Sequence, residues 1–497
     1  MKLRPQLVPG WPKLAWVATF AEGSPDIHVL HGPRVEVADD WVAEAVWAGD
    51  FEGGDFDRTD LVFGSGIRLR GDRVVFCTSG SAVDCLWWVH RDRHWGVSNT
   101  LPGILARTRL SLRGDYDGYP QDVESIDEHR EGIGGYVRQF VTSGEPVSRV
   151  FFANLIFDGE TLVEEEKPDT AGTLQSYGQY EAYLFDTARR LGSNLAANGR
   201  THAIVPVTTI STGYDSCAVA VIAREAGCRH AVTIRNSTSL WRGSDSGEAV
   251  ARRLGMNVRV YEHRQGAYRQ EEYIWAAIGR PKGLNMTVFE YPKPLALFFT
   301  GNYGDKIWDL AYKDVSMPSG DLSGLCLCEF RLAEGFFHVL PAWWGVRHSL
   351  EIRAINRSEE MAPWRTNDGY DRPIARRIIE EAGIPRGSFA VHKKNVSSDA
   401  PFWWPYATTA QESFARFLRE RRPEHLRPGS RTVWLIRRAA HLENLLYKNL
   451  LRPLGVRRRL RPWHDYSNSP MLFVWANTVL TGRYEAGVDR SRARAIA

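Results

Sequence analysis

The stretch from residue 203 to residue 261 constrains the fold most, because apolar, β-branched runs and helix-patterned segments take turns along it. Residues 203–210 form an apolar run rich in Val, Ile and Thr, and residues 216–226 carry a helical pattern. Residues 230–235 are again strand-like, 245–254 helical, and 257–261 strand-like. Such alternation predicts βαβ units, hence a parallel sheet with helices on its faces. In such sheets ligands sit beyond the carboxyl ends of the strands, so function is sought in the loops that leave those ends.

Upstream the pattern differs. From about residue 12 to 165 the chain reads as short apolar runs, such as 14–20, 73–77 and 150–157, divided by Gly, Asp and Pro clusters. That is a β-rich pattern. Between Ser176 and Asn198, Tyr180, Tyr183, Leu184, Ala188, Leu191 and Leu195 recur at three- and four-residue steps, the apolar stripe of one helix. A domain boundary is expected just before it. With 497 residues the chain exceeds one ordinary core. The expected division is a β-rich domain over 1–175, an α/β parallel-sheet domain over 176–410, and a basic, largely helical extension over 411–497.

A composition that is 43% hydrophobic and 25% charged is that of a globular chain, and a net charge of +4 gives no sign of a nucleic-acid partner. The charge is uneven, however: from Arg416 to Arg461 there are 14 Lys or Arg against three acidic residues. Apolar Phe414, Leu418, Trp434, Leu435, Leu442, Leu445 and Leu446 interleave with them, an amphipathic mixture. This region is expected either to close its domain as a solvated helical face or to dock an acidic partner. The six cysteines, scattered without a disulfide spacing, fit a reducing compartment, so a cytoplasmic location is expected. The opening Met1-Lys2-Leu3-Arg4-Pro5 does not read as a secretory signal, and no apolar run reaches the roughly 18 residues of a membrane span.

The loop after the first strand of the alternating region is Ser211-Thr212-Gly213-Tyr214-Asp215-Ser216, and it runs straight into a helix. A strand that ends in small hydroxyl residues and a glycine before a helix presents free N–H groups and a positive dipole end to an anion. Gly213 lets the backbone approach a phosphate, while Ser211 and Ser216 offer hydroxyls. Asp215 would repel such an anion unless a divalent cation lay between them, which points to magnesium and pyrophosphate.

This segment resembles the SGGxDS pyrophosphate loop of N-type ATP pyrophosphatases, the superfamily of asparagine synthetases, at four of its five fixed positions. Thr212 replaces the first glycine. A later apolar run, 295–299, ends in Thr300-Gly301-Asn302-Tyr303-Gly304-Asp305-Lys306, which is similar to the SGEGxDE segment of asparagine and β-lactam synthetases. By that resemblance Asp305 joins Asp215 in holding magnesium, and Gly301 joins the 211–216 loop in binding ATP. Asn302 and Lys306 replace acidic residues there. Next come the basic stretch from Asp371 to Arg377, Gly383-Ile384-Pro385, and Val391-His392-Lys393-Lys394. In the family a lysine in this place reaches the phosphates, so Lys393 or Lys394 is the implied catalytic group, stabilising charge as pyrophosphate departs. Ile234 and Arg235 would lie beside the nucleotide base.

The resemblance implies an ATP- and Mg2+-dependent carbon–nitrogen ligase that activates a small-molecule or peptide carboxylate as its adenylate and passes it to ammonia or an amine. β-Lactam synthetases and lasso-peptide cyclases share this layout. Residues 1–175 would be a degenerate glutamine amidotransferase-like domain, in which Asp92–Pro102 resembles a strand-and-turn region of the β-lactam synthetases. Glutaminase activity is not expected, because Lys2 stands where the family exposes a nucleophilic cysteine and Cys77 lies in an apolar run. Two other functions compete: a non-catalytic nucleotide-binding protein, motivated by Thr212, Asn302 and Lys306, and a thiolating enzyme that uses Cys217. Cys326, Cys328 and His338 are poorly spaced for zinc. Trp343-Trp344 and Phe402-Trp403-Trp404 are read as core in preference to pocket lining.

Overall fold

The structure is a computed structural model. It describes residues 1–128, 133–235, 238–239, 243–262, 268–278, 281–366, 370–389, 405–421, 431–447, 451 and 469–496. Its first third is built from two β-sheets. A seven-stranded sheet runs in the order Lys2–Leu7, Asp26–His31, Trp16–Ala21, His94–Ser98, Leu86–Arg91, Val147–Val150, Gln139–Phe140. A six-stranded sheet runs from Leu162–Glu166 through Ala153–Phe157, Arg73–Cys77, Val62–Arg70 and Trp41–Trp47 to Glu36–Val37. Alternate residues of both sheets point into one apolar layer: Trp16, Ala18 and Phe20 from one meet Ile67, Val74, Phe76 and Phe157 from the other. The Phe20 ring stacks on Phe76 at 5.3 Å, so the two sheets face each other as a sandwich.

The helical stripe forms helix α1 (Tyr177–Leu195), begun by Ser176, whose side chain accepts from the Gln179 N–H. Tyr180, Leu184, Ala188 and Leu191 form its buried face. Then come strand β1 (Ile204–Thr209), helix α2 (Tyr214–Glu225), β2 (His230–Ile234), α3 (Glu248–Arg253) and β3 (Asn257–Tyr261), followed by β4 (Leu295–Phe299) and β5 (Phe336–Val339). All are parallel, in the order β3-β2-β1-β4-β5. The interior strand β4 (LALFF) is buried at every residue, as a strand covered on both faces must be. The strand order reverses between β1 and β4, and the crevice at such a reversal is where doubly wound sheets bind ligands. Thr208 of β1 pairs with Phe299 of β4, so the loops after both strands leave the same edge side by side.

Two devices join the sandwich to this α/β part. Arg331, 2% exposed, donates to Glu44 Oε2 at 2.7 Å and to Asp84 Oδ1 at 2.6 Å, and Glu329 accepts from Thr100 Oγ1 and the Leu101 N–H. The long helix Ser469–Ile496 packs on both parts: Trp11 donates to the Tyr484 carbonyl, and Asn477 donates to the Ala276 carbonyl. Among the described residues no helix is long and apolar enough to cross a membrane.

Candidate functional site

The 211–216 loop folds tightly on itself. The Ser211 and Ser216 hydroxyls lie 2.8 Å apart, Ser216 Oγ accepts from the Ser211 N–H at 3.0 Å, and Ser211 Oγ accepts from the Gly213 N–H at 3.0 Å. Gly213, in extended conformation, precedes α2 and leaves the helix start without a side-chain cap of its own. Thr212 faces away from this turn, and its hydroxyl donates to Asp245 Oδ1 at 2.6 Å.

Asp215 stands in the first turn of α2, on the side of the crevice. The loop after β4 comes up against it so closely that only glycine fits at two positions. A methyl group on Gly301 would sit 2.8 Å from the Ser216 N, and one on Gly304 would sit 2.3 Å from the Asp215 carboxylate. Tyr303 between them adopts a left-handed conformation (φ 69°) and is buried with its ring 4.3 Å from that of Trp343, which fixes the loop. Asp305 follows in the single turn Gly304–Ile307. Asp305 is exposed, and its charge acts on both Asp215 and its arginine partner.

That partner is Arg372, immediately before helix α4 (Pro373–Glu381). Its guanidinium binds Asp215 Oδ2 and lies 3.3 Å from Asp309 Oδ2, and it is 2% exposed. It also lies over the Tyr370 ring at 5.2 Å, while Arg376, one turn along, donates to the Tyr214 hydroxyl. Burial raises the Asp215 carboxyl above the usual carboxylate range; Arg372 opposes this, and the charges of Asp305 and Asp309 add to it. Burial pulls Arg372 down, but its carboxylate neighbours, Asp215 first, outweigh that and leave it raised.

A divalent ion fits this chemistry in one respect: Asp215 Oδ1 is buried and has no hydrogen-bond partner, a hard oxygen donor left over. Among the described residues no group of three or more His, Cys, Asp or Glu could hold a metal by itself. Magnesium at Asp215 and Asp305 would therefore lean on phosphate oxygens and water, its habit at nucleotide sites.

The structure thus brings together Ser211, Gly213, Asp215, Ser216, Gly301 and Asp305, with Thr212 braced from outside. Ile234 lies half-buried at the end of β2, on the same sheet edge. Lys393, Lys394 and the 402–404 aromatics lie outside the described residues. Lys306 points away from the crevice to Asp127, at 2.7 Å, and to Ser319 Oγ, at 3.1 Å. Sequence reasoning gave no site role to Asp245, Asp309 or Tyr370, and it saw Arg372 and Arg376 only as members of a basic stretch.

The remaining candidates are occupied structurally. Cys217 is buried, donates to the Ser211 carbonyl at 3.1 Å, and burial pushes its thiol up. Cys326 donates to the Ser323 carbonyl, and His338, pushed down to about 3 by burial, pairs with Thr300 Oγ1. Cys77 is buried with Lys167 Nζ at 3.2 Å, and Lys2 lies exposed on an edge strand. Trp343 and Trp344 are core residues, each 1% exposed. Compared with known protein families and with curated proteins, the chain matched none.

Proposed function

We propose that this chain is an ATP-dependent carbon–nitrogen ligase of the asparagine-synthetase type, forming AMP and pyrophosphate. The observation that carries the reading is the meeting of two strand-end loops across the β1/β4 reversal, with Asp215 and Asp305 as electrostatic neighbours and Asp215 Oδ1 left without a partner. In this reading the 211–216 loop and the start of α2 take the pyrophosphate portion of ATP, Gly301 gives clearance, and Ile234 borders the base. Asp215 and Asp305 hold Mg2+, whose charge neutralises the leaving pyrophosphate, and Lys393 or Lys394 adds to that stabilisation. The carboxylate substrate becomes an acyl-adenylate that ammonia, or an amine on the substrate, attacks. Cys77 and Cys85 are both buried, so in this reading residues 1–175 supply no thiol nucleophile for glutamine. The burial of Cys217 counts against a thiolating enzyme, because a thiol pushed up by burial is a poor nucleophile.

A non-catalytic nucleotide-binding role is the competing reading, favoured by Arg372 on Asp215. Isotope exchange of pyrophosphate into ATP, run with Mg2+ across a panel of carboxylates and peptides, decides between them. Exchange with at least one substrate is expected, and none with any of them, alongside retained ATP binding, would leave the non-catalytic reading.

A further inference from the structure

Resting on the nucleotide reading of this crevice, we propose that Arg372 is a built-in counter-cation of Asp215, holding the place at that carboxylate which a divalent ion takes and yielding it when one binds. The guanidinium sits on Asp215 Oδ2, and its second anchor, Asp309, lies on the far side at 3.3 Å. Two carboxylates for one guanidinium give it somewhere to stay after release: both anchors before the ion binds, Asp309 alone afterwards. Arg372 is 2% exposed and backed by the Tyr370 ring, so it is held in line with Asp215 and does not swing through solvent.

The arrangement has a thermodynamic consequence. An internal cation competes with the ion for Asp215, so apparent ion affinity falls by the fraction of molecules in which Arg372 has let go. In exchange, Asp215 never faces an approaching triphosphate as a bare charge. Ion and anion should therefore bind together more readily than either does alone.

Mn2+ is the probe, titrated into the full chain without nucleotide and followed by electron paramagnetic resonance. Arg372→Gln is expected to bind Mn2+ at least about tenfold more tightly than the wild type, a competition of about 1.4 kcal/mol. Adding Asp215→Asn to that variant should erase the gain, which a merely structural arginine would not produce. Arg372→Lys, whose ammonium cannot span both carboxylates, should show a smaller gain. Equal or weaker Mn2+ binding by folded Arg372→Gln overturns the proposal; should that variant not fold, unchanged affinity in Arg372→Lys does so. Pyrophosphate exchange by the wild type separates the two ideas. No exchange with tighter Mn2+ binding removes the ligase and keeps the counter-cation, whereas exchange with unchanged Mn2+ binding does the reverse.

Discussion

Thr212 and Asp245 are tied twice: the Thr212 hydroxyl donates to Asp245 Oδ1 at 2.6 Å, and the Thr212 N–H donates to the Asp245 carbonyl at 3.2 Å. A glycine at position 212 could make only the second bond. The threonine side chain therefore braces the 211–216 loop against the β2–α3 connection from outside, leaving the inner turn to the two serines. Thr212→Val keeps the shape and removes the donor, so it should lower stability by about 1–2 kcal/mol, as loss of a hydrogen bond to a half-exposed carboxylate does. Thr212→Ser should stay within about 0.5 kcal/mol of the wild type. Urea denaturation measures both, and a valine variant as stable as the parent would show that the bond braces nothing.

Asp215→Asn tests the carboxylate at the crevice. On the proposed function, pyrophosphate exchange should fall by about 100-fold or more, because a neutral amide is a poor magnesium ligand. The fold should survive at a cost. Arg372 would keep only Asp309 as a carboxylate partner, and weakening a buried ion pair on one side costs about 2 kcal/mol here, short of the full penalty for an orphaned charge. Exchange at near-wild-type rate would remove Asp215 from the chemistry.

The parallel sheet was legible because its strands are short runs rich in apolar and β-branched residues: the runs at 204–209, 230–234, 257–261 and 295–299 are the strands, within a residue or two. Strand β5, only four residues long, carries too little periodicity to be read. The loop residues Ser211, Gly213, Asp215, Gly301 and Asp305 were legible for a related reason, since each lies directly after a strand and parallel topology brings such loops to one edge. Arg372 was not. It reaches Asp215 from 157 residues away, and a basic stretch in sequence gives no clue to which of its arginines will be buried. Lys306 was open to misreading for the opposite reason: its motif position is beside the crevice, but its long side chain turns to the helix Tyr119–Glu128.

That turn makes Lys306 a cross-link between the two parts of the chain. It bonds Asp127 Oδ1, Ser319 Oγ and the Gly320 carbonyl, and its ammonium also lies over the Tyr303 ring at 5.8 Å. Lys306→Met should therefore lower stability by about 1–3 kcal/mol, as removal of a partly buried charged donor does. Lys306→Glu should do worse, because it faces Asp127 with a like charge. Thermal denaturation ranks the three proteins. A glutamate variant more stable than the methionine one would contradict this account of the side chain.

Burial raises Glu329 to about 7, against the hydrogen bonds from Thr100 and Leu101 that favour its charged form. In the unfolded chain the same carboxyl titrates near its ordinary value of 4.5. Below that value both states carry the proton and Glu329 adds no pH dependence. Between about 4.5 and 7 the unfolded state has lost the proton while the folded state keeps it, so stability falls as pH rises; above about 7 both are ionised and the slope ends. One proton sets the limit at about 1.4 kcal/mol per pH unit across that window. Glu329→Gln removes the titration while keeping an acceptor for Thr100 or Leu101. Unfolding free energies of both proteins from pH 4 to pH 8, subtracted from each other, isolate this carboxyl from every other titrating group. The difference should grow in the variant's favour through the window and level off beyond it, and a flat difference would mean that Glu329 is already ionised in the folded protein at pH 5.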